Sequence, residues 1–498
     1  MRRNKHVPLS FNMQLQSTLL IGALFVTVIT ISTGSPPPTS HEPVGRKILS
    51  SRIGTEWMAE QEADRILALP DQPEVNFDMY GGYITVNKEA GRAHYYYFVE
   101  AEEDPQNKPL AFWFNGGPGC SSIAYGFAEE LGPFFVNPGG KTLRLNHNAA
   151  NKVANVVFVE SPAGVGFSYS NTTDDLYVSG DNRTAHDNYA FVVNWMKRFP
   201  QYKGRPFYLT GESYAGVYVP QLAKLIFDNN KELSENNRIN FKGFLLGNAM
   251  IDIPTFYQGN VEYTYHSGMI SDEMYNKIKT VCNFNGMTDP RLSGSCSELL
   301  WPAQGLYNNI GRVDLYSIHA PVCLLYDRQP DTAEFTPALG MLEYDPCTQA
   351  YSQIYFNRPD VQKAMHANTT GIPYPWTSCS APLMANWTDM ATTVLPIFQE
   401  LLEAGLRLWM FSGDADSVVS TTSTRYALAK LNLTVEVPWY PWYNKLQVGG
   451  RGIGYKENLT FVTIRGAGHE VPLLRPEEFL QVFAAFLEDS LLPSHPYS

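Results

Sequence analysis

The chain has 498 residues, a length that suits either about three domains or one α/β catalytic domain with insertions. Hydrophobic residues make up 44% and charged residues 17%, which excludes a disordered or low-complexity chain. The net charge is −12 and no Lys/Arg-rich block follows the first few residues, so the electrostatic footprint of a nucleic-acid binder is missing.

Arg2, Arg3 and Lys5 precede an apolar stretch from Leu19 to Ser32, and Thr33, Gly34 and Ser35 follow it. That is the order of a secretory signal peptide, expected over residues 1–34. The 14 apolar residues fall short of the ~20 that cross a bilayer, and no later segment reaches that length, so no span is expected after cleavage. A flexible leader over residues 35–55 carries three consecutive prolines. Strand-like alternation covers Tyr83 to Val86 and Ala93 to Val99, and a buried run from Leu110 to Phe114 stops at Gly116-Gly117-Pro118-Gly119. A second buried strand, Asn155 to Val159, ends at Glu160-Ser161-Pro162. Helical spacing marks Thr184 to Phe199, a strand runs from Pro206 to Thr210, and a helix carries Leu222, Ala223, Ile226 and Phe227. This alternation predicts a mainly parallel sheet with helices on both faces, an α/β fold whose first part spans residues 56–250. Residues 251–385 break the pattern: they are rich in Tyr, Asn and Asp, hold five of the six cysteines, and show only short periodic stretches, Asp272 to Val281 and Val361 to Ala367. They read as a disulfide-stapled insertion. Alternation resumes over residues 386–490 with a helix from Met390 to Glu403, strands Leu406 to Phe411 and Leu459 to Ile464, and a closing helix from Pro476 to Leu487.

The chemistry gathers at the ends of these strands. Ser213 lies between a strand and a helix in Gly211-Glu212-Ser213-Tyr214-Ala215-Gly216, the cramped turn that exposes a serine oxygen with a helix N-terminus behind it. The strand after residue 406 leads into Asp414-Ala415-Asp416, and the strand after 459 leads into Gly466-Ala467-Gly468-His469. The order Ser, Asp, His is that of an α/β-hydrolase triad, with imidazole as general base and a carboxylate holding its other N–H. Residue type alone does not separate Asp414 from Asp416. The glycine turn after Phe114 suits a backbone oxyanion donor. Six cysteines, Cys120, Cys282, Cys296, Cys323, Cys347 and Cys379, form an even set in a secretory chain. Six sequons, at Asn171, Asn182, Asn368, Asn386, Asn432 and Asn458, fit passage through the secretory lumen. No metal-ligand spacing or phosphate loop is visible, so no metal and no cofactor are expected.

Five strings in this order resemble the serine carboxypeptidases, α/β-hydrolase exopeptidases of vacuoles, lysosomes and secretory routes: Trp113 to Ser122, Glu160 to Tyr169, Gly211 to Gly216, Gly413 to Asp416, and Gly466 to Pro472. The resemblance runs from about Asp64 to Leu487 and is strongest to the plant subgroup. It implies Ser213 as nucleophile, Asp416 as the orienting acid and His469 as base, with oxyanion donors at the N–H groups of Gly117 and Tyr214. It further implies that Asn115, the Gly116 N–H and Glu212 grip the substrate's terminal carboxylate, with Glu130 behind Glu212. A carboxylate bound beside a glutamate requires a shared proton, hence acidic working conditions. The implied disulfides are Cys120–Cys379, Cys282–Cys296 and Cys323–Cys347. The implied partner is a peptide or protein C-terminus, with homodimers among family members, and the implied address is vacuolar or extracellular. Two rival readings share the scaffold. One is an acyltransferase using sugar esters, whose members typically carry Asp in place of Glu212 and lose the Asn of the glycine turn. The other is a non-catalytic binding protein, which would break the triad.

Overall fold

The computed structural model describes residues 55–288, 294–300, 310–324, 344–372 and 374–497. The expected signal peptide, and the leader up to residue 54, lie outside them. Eleven strands form the main sheet: β1 (Arg65–Ile66), β2 (Met79–Asn87), β3 (Arg92–Val99), β4 (Leu110–Phe114), β5 (Asn155–Val159), β6 (Phe207–Glu212), β7 (Phe241–Gly247), β8 (Arg407–Gly413), β9 (Val435–Asn444), β10 (Gln447–Tyr455) and β11 (Leu459–Ile464). Their spatial order is β1-β2-β3-β5-β4-β6-β7-β8-β11-β10-β9. The central run from β5 to β11 is parallel, and both edges are antiparallel. The chain therefore has the mainly parallel α/β-hydrolase architecture that its alternation predicts.

Strand β4 shows why the sequence folds this way. All of its residues are buried. Leu110, Phe112 and Phe114 point into one hydrophobic core, and Ala111 and Trp113 into the other. A strand buried on both faces must read as a continuous apolar run, and this one does. On the first face helix α1 (Asp181–Arg198) inserts Phe191, Val192 and Trp195. The Trp195 ring stacks on Phe199 at 4.5 Å and meets Phe112 edge-on at 5.1 Å. Burying one such ring removes about 150–250 Å² from water, on the order of 4–6 kcal/mol at ~25 cal/mol per Å² before entropy is charged. Helix α2 (Ala215–Glu232) lies on the same face. The opposite face is closed by a helix over Thr348–Phe356 and by the C-terminal helix Pro476–Glu488.

Several elements differ from the sequence expectation, among them the central strand β7 and the helices over Thr348–Phe356 and Thr421–Ala429, none of which was predicted. The helix expected to begin at Met390 spans only Leu395–Glu403. Residues just before it are held extended, because Ile253 N donates to Thr392 O at 2.9 Å and Val394 N to Ile251 O at 3.0 Å. Within the expected insertion, helix α3 (Ile253–His266) was not predicted; Asp252 caps it by accepting from Thr255 N, and Pro254 sits in its first turn. The hairpin β9–β10 was also missed. Its prolines and glycines read as breakers, yet Pro438 and Pro441 lie on an edge strand, where a missing N–H costs no ladder bond. The glycines make room for rings: a Cβ on Gly449 would lie 2.2 Å from the Trp442 ring.

Candidate active site

At the carboxyl ends of β4, β6, β7, β8 and β11, the strand ends and the loops leaving them carry every predicted catalytic, oxyanion and carboxylate-binding residue except Glu130. This is where parallel sheets place ligands, since the loops there are free to diverge. At the end of β6 the chain turns on Ser213, which has φ 63°. A non-glycine residue in the left-handed region is strained and must be held. Here Ser213 N donates to Gly247 O at 3.0 Å, and Ser213 O accepts from Gly216 N and Met250 N, each at 3.0 Å. The two arms of the turn nearly touch: a Cβ on Gly211 would lie 2.7 Å from the Ala215 Cβ. One glycine and one alanine therefore satisfy the crossing, which explains why Gly-x-Ser-x-Ala serves where Gly-x-Ser-x-Gly is the usual pattern. Helix α2 starts immediately after, and its positive end faces the turn.

His469 is buried, and its Nδ1 lies 2.7 Å from Asp416 Oδ2. The same oxygen accepts from Asn248 Nδ2 at 2.7 Å and from Val419 N at 3.2 Å, while Oδ1 accepts from Val418 N at 2.7 Å. Asp416 is thus fully enclosed and fixed by four donors. Asp414, two residues earlier, is exposed and caps Gly466 N at 2.6 Å. Residue type could not separate these carboxylates; the direction each faces does. Asn248, which sequence reasoning missed, also accepts from Gly413 N, so it ties the β7 and β8 ends together. Its only sequence signal is a polar residue closing the apolar run Phe244 to Gly247.

The glycine turn packs directly on the serine turn, since a Cβ on Gly116 would fall 2.3 Å from Tyr214 N. Any side chain at 116 would push the two turns apart. Asn115 lies deeper. Its Oδ1 accepts from Trp113 Nε1 at 2.6 Å and Gly126 N at 3.0 Å, so its amide orientation is determined. The Nδ2 then faces two carboxyls, Glu130 Oε1 at 3.0 Å and Glu212 Oε1 at 3.2 Å. Burial raises both glutamates above the ordinary carboxyl range, and Glu212 is pushed further by facing Glu130. Glu129 is pushed up to about 8 by burial and by Glu130, and Glu470 well up by burial and by Glu129.

One cavity of about 470 Å³ is lined by Asn115, Gly116, Gly117, Glu212, Ser213, Tyr214 and His469. Glu129, Glu470, Asp314 and Tyr316, none of them singled out from sequence, line it too. Glu129 and Glu470 are the immediate neighbours of Glu130 and His469, which is the one signal that could have found them. Cys120 is bonded to Cys379 on the cavity wall, and Ser121 N to Ser378 O and Ser380 N to Gly119 O, each 2.8 Å, fasten residues 378–380 beside the glycine turn. The other disulfides are Cys282–Cys296 and Cys323–Cys347. Asn171, Asn182, Asn386, Asn432 and Asn458 are exposed, whereas Asn368 is half-buried and its Nδ2 donates to Gln362. Among the described residues no group of His, Cys, Asp and Glu could hold a metal ion, and no helix is long and apolar enough to cross a membrane.

The buried carboxyls make stability depend on pH. Burial pushes Glu129 up to about 8 and Glu160 up to about 7 from 4.5. Between pH 4.5 and those midpoints the folded state keeps protons that the unfolded chain loses, so stability falls as pH rises. Each carboxyl weakens the fold by about 1.4 kcal/mol per pH step in that window. His94, buried and lowered to about 4, acts the other way, weakening the fold as pH falls below 6.5. One imidazole opposes several carboxyls. The melting temperature is expected to fall steadily from pH 5 to pH 8, and a rise over that range in calorimetry would contradict these assignments.

The serine carboxypeptidase family model matches residues 70–489. Serine carboxypeptidase 24 of Arabidopsis thaliana is 52% identical over 443 residues, covering 87% of this chain and 94% of that protein. Serine carboxypeptidase-like 25 of the same plant is 48% identical over 460 residues, covering 89% and 95%. Among solved structures, a prohormone-processing carboxypeptidase of Saccharomyces cerevisiae, KEX1(delta)p, superposes with a TM-score of 0.72 at 21% identity, covering 86% of this chain and 96% of the other, a likeness of fold.

Proposed function

Because the chain belongs to the serine carboxypeptidase family, we propose that it releases single amino acids from the C-termini of peptides and proteins at acidic pH, through a Ser-His-Asp triad and an acyl-enzyme. The observation that carries this reading is the buried Asn115–Glu130–Glu212 network opening into the cavity that holds Ser213 and His469. A general acyl hydrolase has no use for protonated carboxyls at that place. An exopeptidase does: the neutral Glu212 donates to the terminal carboxylate, with Asn115 and the Gly116 N–H beside it.

With the carboxylate held, Ser213 Oγ attacks the last peptide carbonyl and passes its proton to His469, whose Nδ1–H stays bonded to Asp416. Charge grows on the carbonyl oxygen, where the N–H groups of Gly117 and Tyr214 and the end of α2 stabilise it. His469 then gives its proton to the leaving amine, and the C-terminal residue departs. Water, deprotonated by the same imidazole, cleaves the Ser213 ester. Glu129, Glu470 and Asp314 line the remaining wall of the cavity. The retained Glu212 and Asn115 disfavour the acyltransferase alternative. The disulfides favour the secretory route, and we place the protein in the vacuole or outside the cell.

The test is a panel of N-blocked dipeptides at pH 5 with fluorophosphonate labelling in parallel. Release of the free C-terminal residue is expected. A labelled protein that leaves all dipeptides intact, yet transfers acyl groups from a sugar ester, would replace this reading with the acyltransferase one.

A further inference from the structure

A strap formed by residues 314–320 crosses the two loops that carry the acid and the base. Leu315 O accepts from Ser417 N at 3.0 Å and from Ser417 Oγ at 2.7 Å, and Ile318 N donates to Ala415 O at 3.0 Å. These bonds grip the chain on either side of Asp416. The strap also reaches the other loop: Tyr316 O accepts from His469 N at 2.6 Å. Asp314 Oδ1 caps Tyr316 N at 2.9 Å, which holds the tyrosine at the crossing. Gly468 admits the strap, because a Cβ there would lie 2.1 Å from Tyr316 O and 2.5 Å from Ser317 Cβ. At the crossing the Tyr316 ring meets the His469 imidazole edge-to-face, with centroids 5.0 Å apart and planes at 79°.

The single hydrogen bond from Nδ1 to Asp416 restrains the side-chain torsions of His469 only softly, and small rocking about them swings Nε2, on the far side of the ring. A second contact is needed to aim Nε2. We propose that Tyr316 is a positioning residue, whose ring fixes the tilt of His469 so that Nε2 faces Ser213. The strap therefore does what neither β8 nor β11 can do alone: it registers the acid loop, the base loop and the plane of the base with one short segment. This inference rests on the proposed roles of Ser213 and His469. Tyr316 is half-exposed, so replacing it disturbs little packing. Misaiming a base by a fraction of its reach slows proton transfer without weakening the grip on the substrate's terminal carboxylate.

The experiment compares the full enzyme with Tyr316→Leu and Tyr316→Phe, measuring kcat and KM on a blocked dipeptide and the rate of fluorophosphonate labelling. Tyr316→Leu should lower kcat and the labelling rate together by ~10- to 100-fold, with KM within about twofold of wild type. Tyr316→Phe, which keeps the ring, should restore most of both rates. Labelling of Tyr316→Leu at the wild-type rate, or a raised KM with unchanged kcat, overturns the proposal and leaves Tyr316 as a wall of the cavity. Equal loss in the Phe variant overturns it in favour of the hydroxyl. A wild-type protein that neither labels nor releases amino acids rejects the underlying triad instead, so the two failures are distinct. Should the Leu variant melt below assay temperature, Tyr316→Met, of similar volume and without a ring, gives the same discrimination.

Discussion

Ser213→Ala is expected to lower kcat by about 10⁵- to 10⁶-fold and to abolish fluorophosphonate labelling, while melting within a few degrees of wild type. The variant loses one oxygen from a turn whose backbone bonds, Ser213 N to Gly247 O and Ser213 O to Gly216 N and Met250 N, are untouched. His469→Ala should match it. The paired aspartates give the sharper comparison. Asp416 accepts from His469, Asn248, Val418 and Val419, so Asp416→Asn presents an amide N–H or a flipped tautomer to the imidazole and should cost about 10⁴-fold in kcat. Asp414 caps only Gly466 N among the described hydrogen bonds, and Asp414→Asn should stay within about tenfold of wild type. Steady-state kinetics on one blocked dipeptide measures all of these. Reversal of the two aspartates, or labelling of Ser213→Ala, removes the triad assignment.

The second large effect is a pH dependence of substrate affinity. Glu212 holds a proton because burial and Glu130 raise it. In that state it donates to a carboxylate; once it loses the proton it repels one. KM for a free-acid peptide should therefore rise across pH 5 to pH 8, by about tenfold per pH step once the Glu212 midpoint is passed. A base acting alone predicts the reverse trend, because imidazole is increasingly free to accept a proton as pH rises. The same dipeptide as its C-terminal amide carries no charge at that point and should show a level KM. In Glu212→Gln the amide donates a hydrogen bond at every pH, so the rise should flatten. Level KM for the free acid in wild type, or an equal rise for the amide, would take the carboxylate-reading role from Glu212 and leave the exopeptidase reading on family membership alone.

Both expectations use residues visible in the chain before any fold is known, and the reason is physical. Apolar runs such as Leu110 to Phe114 announce strands buried on both faces, since no other short segment tolerates five consecutive enclosed side chains. A serine in a strand-to-helix turn between small residues announces its own exposure, since the crossing at Gly211 and Ala215 allows little else. A histidine after glycines at a strand exit is similarly legible. These are local properties, set by sterics within a few residues.

What needed the tertiary structure is whatever depends on which segments meet. Asp414 and Asp416 are chemically identical and two residues apart; only the packing of β7 against β8, which brings Asn248 to Asp416, decides which carboxylate is enclosed beside His469. The upward shift of Glu130 and Glu212 arises because distant segments are buried against each other, and burial is a property of the fold, not of a glutamate. Glu129, Glu470 and Tyr316 reach the cavity from segments far apart in the chain, and only adjacency to Glu130 and His469 marks the first two. The hairpin β9–β10 hid behind its prolines and glycines until the rings that those glycines accommodate were in place. The sequence by itself determined most strands of the parallel run, the turns that end them and the chemistry they could present; only long-range packing decided which of those groups face one another, because charge, desolvation and ring contacts act between residues far apart in the chain.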